Sequence, residues 1–174
     1  MSFDIFYQTC NLGTRREQRK NPFTREMRSV VIDDGLTAAE RKGVLQLLQR
    51  SAGAARDKSG DYSLDLPDGG SAELFIEGLD GIGKCNGCMV AIRSLTPNLV
   101  SFLHDLARAG NMVAMPAMEA SAVIVVDERQ RQQISSRWPD AVVIASPEEL
   151  GHLLGGGFGA WHKYRDQVIR QAKE

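Results

Sequence analysis

The sequence predicts an α+β domain in which about five helices pack against a mostly antiparallel sheet. Three observations carry this. A β-hairpin is legible between residues 60 and 78, and cap signals precede amphipathic stretches after Thr37 and Thr96. The third is the composition: 174 residues with 43% hydrophobic and 25% charged side chains, the balance of one folded domain over residues 1–174.

Taken in order, Phe3 to Thr9 is rich in aromatic and β-branched residues and reads as an opening strand. Residues 11–26 carry almost no apolar periodicity and read as a basic loop. Met27 to Ile32 returns to strand character and ends at Asp33-Asp34-Gly35. Thr37 and Glu40 stand three apart, as in a capping box. Val44, Leu45, Leu47 and Leu48 then follow at helical spacing, which predicts a helix over 38–51.

In the hairpin, Tyr62, Leu64 and Leu66 alternate with polar residues, Pro67-Asp68-Gly69-Gly70 turns, and Ala72, Leu74 and Ile76 alternate again. One face is therefore expected to be buried, and Ser63, Asp65, Glu73, Phe75 and Glu77 to stand on the other. Cys88 to Arg93 reads as a third strand of that sheet. Thr96-Pro97 starts a helix with Leu99, Phe102, Leu103 and Leu106 as its buried stripe, and Gly110 as its left-handed stop.

Strands are expected at Met112 to Met115, Ala122 to Val126 and Ala141 to Ile144, with a polar helix from Asp127 or Glu128 to Trp138. Ser146-Pro147-Glu148-Glu149 opens a helix to Leu154, which Gly155-Gly156-Gly157 should break. A C-terminal helix over 158–172 would then bury Trp161, Tyr164 and Val168.

The net charge of -1, from 21 Lys+Arg against 22 Asp+Glu, gives no global field toward nucleic acid or anionic lipid. No apolar run is long enough to span a bilayer, and Met1-Ser2-Phe3-Asp4 lacks the basic start of a signal peptide. Neither a membrane nor a nucleic-acid partner is expected, and the expected location is cytoplasmic, where Cys10, Cys85 and Cys88 would stay reduced.

The Cys85-Asn86-Gly87-Cys88 spacing is half of a zinc site. Completing it would require Cys10 and one of His104, His152 or His162 to converge on the pair. A redox pair would need a helix after it, whereas a strand is expected there. Gly78, Gly81, Gly83 and Gly87 lie between strands, and Gly155 to Gly159 follows a helix, so neither run suits a phosphate loop. His162 and Asp166 stand four apart and could pair, but no nucleophile is marked near them. No pattern calls for a cofactor.

Charge segregates along the chain. Residues 14–28 hold Arg15, Arg16, Arg19, Lys20, Arg25 and Arg28 against Glu17 and Glu26, a local +4. Residues 57–82 hold seven acids and Lys58, a local -6. An aromatic ring among carboxylates suits a basic protein partner, since charge steers encounter and the ring anchors it. Asp65, Glu73, Phe75 and Glu77 are thus the candidate contact residues of a non-enzymatic binding module. The alternatives are a metal- or small-ligand-binding protein or an enzyme with its site at Cys85 and Cys88 with Cys10, and a binder of acidic ligands through the Arg15 to Arg28 loop.

Several segments resemble a group of uncharacterised bacterial proteins that open with Met-Ser-Phe-Asp-Val-Phe-like strands. They are Met1 to Phe6, the hairpin turn Asp68 to Leu74, Leu95-Thr96-Pro97, and Val142-Val143-Ile144 with Ser146 to Leu150. Small acidic-patched members of that group look like toxin-immunity or partner-binding proteins. What the resemblance implies is an interaction role.

Overall fold

The computed structural model describes residues 2–117 and 122–171. Its main sheet is built around β1 (Phe3–Thr9), where Phe3, Ile5, Tyr7 and Thr9 are buried beneath one face and Asp4, Phe6 and Gln8 point to the other. On one side of β1 follow β7 (Gly87–Ser94), β6 (Ser71–Phe75), β5 (Tyr62–Asp65) and β4 (Ala54–Arg56), each antiparallel to the next. On the other side lie β8 (Met112–Pro116) and β9 (Ile124–Val125), antiparallel, and β10 (Val142–Val143), parallel to β9. At Gly87 the backbone passes so close to the Tyr7 carbonyl that any side chain there would collide with it.

Three helices cover the Ile5 face: α1 (Ala38–Arg50), α2 (Pro97–Ala109) and α4 (Pro147–Gln171). Leu64, Leu74, Val90 and Ile92 of the sheet meet Val44, Leu47, Leu99, Leu103 and Leu154 in one core. A helix of the described residues covers the opposite face at its β8–β10 end. There Ile134 of α3 (Glu128–Ile134) packs on Val113, Val125, Cys10 and Ala141. Among the described residues, no helix lies over that second face from β4 to β1.

The caps form as the sequence implies. Glu40 N–H donates to Thr37 Oγ1 at 3.2 Å and Thr37 N–H to Glu40 Oε2 at 2.7 Å. Thr96 caps α2 and its hydroxyl donates to Asp68, which also accepts from the Asn98 amide at 3.0 Å. Asp68 thereby serves the helix start rather than the hairpin surface.

Five details depart from expectation. Residues 11–26 are not all loop: Arg16–Lys20 (β2) pairs with Met27–Val31 (β3) as a separate antiparallel arm. Both faces of this arm are largely exposed, so no alternation of burial marks it in the sequence. The described residues form four helices, because α4 runs unbroken through Gly155-Gly156-Gly157. Glycine weakens a helix by about 1 kcal/mol without barring it sterically, and Leu150 and Leu154 before the glycines, with Phe158 and Trp161 after them, all pack on the same core.

The left-handed residue after α2 is Asn111, at φ 47, while Gly110 is right-handed and a side chain there would strike Met112. α3 stops at Ile134, four residues short of Trp138. In α4, Tyr164 is exposed although Trp161 packs on the core, and the Val168 side chain and residue 172 lie outside the described set.

His104 of α2 sits inside the core, where neither ring nitrogen makes a well-formed hydrogen bond. Burial, then the Arg108 guanidinium, pushes its pKa below the usual 6.5, against the opposite pull of Asp105, the Ile144 backbone and Glu148. The folded state therefore resists a proton that the unfolded chain accepts, and stability falls as pH drops below 6.5. His104→Leu should flatten this part of the profile. Denaturant midpoints compared at neutral pH and at about pH 5 measure it; an unchanged pH dependence in the variant contradicts the assignment.

Candidate functional site

The helix-free face is organised by strand register. Phe75 of β6 opposes Met89 of β7, Met89 opposes Phe6 of β1, and Phe6 opposes Met115 of β8. Because all four project to the same side, they form one apolar row across four strands. Phe75 is 38% exposed and Phe6 45%, so the row remains partly open to solvent.

Above the row, the arm supplies Arg19, Val30 and Val31 as a partial roof, enclosing a groove of about 790 Å³. Glu77 and Asp61 stand at its edge beside Phe75, and neither pairs with a cation among the described residues. At the other end the groove meets a polar cluster. The Asp33 carboxylate accepts two hydrogen bonds from Arg137, at 2.7 and 2.8 Å, and one from the Gln8 amide at 2.7 Å. The Lys84 ammonium binds the Asp33 carbonyl.

Burial alone would raise the Asp33 pKa, but the hydrogen bonds from Arg137 and Gln8 outweigh it and hold the carboxyl below its ordinary range. Asp33 lies two residues past β3, so this cluster moors the base of the arm to β1 and to the segment after α3.

Each sequence-derived candidate has a definite place. Phe75, Glu73 and Asp65 share the open face. Glu77 follows β6 and lines the groove. Glu73 binds Arg93 at 2.7 Å, and Asp65 accepts from the Ser71 hydroxyl at 3.0 Å, away from the apolar row. Of the four, Phe75 and Glu77 line the groove, and Asp65 and Glu73 do not.

The cysteines do not assemble. Cys10 is buried in the small cluster under α3, whereas Cys85 and Cys88 belong to the main core. Among the described residues, no three His, Cys, Asp or Glu side chains are grouped so as to hold a metal ion. Burial, reinforced by Glu40 and Asp127, lifts the Cys10 thiol to about 12. Burial also raises Cys85 and Cys88. Protonated thiols are poor nucleophiles and poor ligands.

His162 packs edge-on against Phe158 and Trp161, and Asp166 takes Arg165 as its partner instead. The glycines at 78, 81, 83 and 87 occupy turns and a strand edge at positive φ.

Phe6, Met89 and Met115 were not singled out from the sequence, although the alternation of β1 places Phe6 opposite Ile5 and Tyr7. The mooring cluster joins positions 25 and 104 residues apart, and no local pattern signals it. No described helix is long and apolar enough to cross a membrane. Comparison with known protein families, with curated proteins and with solved structures finds no match to this chain.

Proposed function

We propose that this chain is a protein-binding module that holds a basic partner segment in the groove between its arm and the open sheet face. The observation that carries the reading is the exposed row of Phe75, Met89 and Phe6 with the uncompensated carboxylates of Glu77 and Asp61 beside it. Aromatic rings supply most of the binding free energy in such contacts, while nearby charge sets encounter rate and partner choice. Neutralisation of a bacterial toxin is the specific role that fits a small module of this kind, by analogy with the proteins its sequence resembles.

Affinity capture from the native organism tests the reading. Wild-type bait should enrich a partner that is at least about tenfold depleted with Phe75→Ser combined with Glu77→Lys. Both positions are exposed, so the bait should stay folded. Equal enrichment by the two baits would remove the groove from the account.

A further inference from the structure

The arm is a two-stranded ribbon, an element that is only marginally stable in water without further packing. Its tip is nonetheless well defined. The Asn21 side chain accepts from the amides of Phe23 and Thr24, and Arg25 closes the turn at φ 61. This turn presents Phe23 at 92% exposure, with Met27 also exposed.

The arm's cations are unequally used. Arg15 and Arg19 pair with Glu17, and Arg28 pairs with Glu26. Arg16, Lys20 and Arg25 form no ion pair among the described residues. The tip thus offers an unpacked aromatic ring beside unpaired positive charge.

The groove offers the complement, rings at Phe6 and Phe75 beside unpaired Glu77 and Asp61. Within this molecule the two do not meet: Arg19, Val30 and Val31 of the arm roof the groove, whereas Phe23, in the turn beyond Arg19, is not among the residues that line it.

We propose that two copies of this chain associate by exchanging arms, the Phe23 tip of each entering the groove of the other, with Lys20 and Arg25 reaching Glu77 and Asp61. A two-fold arrangement makes both contacts identical and closes the assembly at a dimer. The inference rests on the groove reading above and names a second copy as an occupant. It also gives the arm the packing that an isolated ribbon lacks.

Sedimentation velocity of the purified full chain, over a dilution series up to about 100 μM, tests it. The wild type should be a dimer that dissociates on dilution and as salt screens the charges. Phe23→Ser with Lys20→Glu, and separately Phe75→Ser with Glu77→Lys, should each sediment as monomers with unchanged circular dichroism. Mixing the two variants should restore a mixed dimer, because one intact arm then meets one intact groove.

A wild type that is monomeric throughout overturns the exchange, as does a dimer that survives both pairs of substitutions. Partner capture that still depends on Phe75 in a monomeric wild type would leave the groove reading intact. Capture that is indifferent to Phe75 would remove both.

Discussion

Arg137→Ala should lower the unfolding free energy by about 3 kcal/mol. Asp33 is only 10% exposed in its side chain, and Arg137 donates two of the three side-chain hydrogen bonds that its carboxylate accepts. Removing the guanidinium leaves a desolvated charge with only the Gln8 amide and the Gly13 backbone N–H as partners. Arg137 also stacks over Trp138 at 5.2 Å, a contact that alanine loses.

Arg137→Lys should recover only part of the loss, since an ammonium cannot make the bidentate contact. The folded-state pKa of Asp33 lies below its ordinary 3.8, so this stabilisation is fully present above 3.8 and is lost as pH falls from there through the lower folded-state value. Denaturant unfolding of the wild type should therefore show an acid-sensitive component that is missing from Arg137→Ala. A change under about 1 kcal/mol would mean that the pair behaves as an exposed surface bridge. The structural consequence is as important as the energy, since the base of the arm loses its tie to the segment after α3 and keeps only those to Gln8, Lys84 and the neighbouring backbone.

The second large effect has the opposite sign. Gly155, Gly156 and Gly159 lie inside α4, and a Cβ at any of them would meet no atom within 4 Å. Alanine at all three should stabilise the protein by about 2 kcal/mol, through smaller backbone entropy loss on folding. The corresponding rise in thermal midpoint is roughly 5 °C for a chain of this size. No rise would show that the second half of α4 frays before the core unfolds, so that its helix propensity is uncoupled from global stability.

The contrast between the arm and the hairpin shows what the sequence could reveal. In Tyr62 to Ile76, one buried face imposes alternation, and the outward position of Phe75 followed directly from the inward positions of Leu64 and Leu74. The arm buries neither face, so the strand at Arg16–Lys20 left no such trace. The Thr37 and Thr96 caps were legible because the hydrogen bonds involved span three residues. The union of Gln8, Asp33 and Arg137 was not, because only tertiary structure brings them together.

The break expected at Gly155 failed for a related reason. Local propensity favours a stop there, but aromatic and aliphatic anchors on both sides pack on one core and override it. In the groove, Phe75 was within reach of the hairpin alternation and Phe6 of the β1 alternation, while the pairing of Phe6 with Met89 and Met115 required the strand order.

Site-specific photocrosslinking tests the central claim most directly. A benzophenone side chain placed at Phe75 or at Phe6 should yield a covalent adduct with the physiological partner in its native organism. The same probe at Gln46, on the exposed side of α1, should yield none. Adducts formed from Gln46 and absent at Phe6 and Phe75 would contradict the account, because recognition would then run through the helical layer and not through the uncovered face of the sheet.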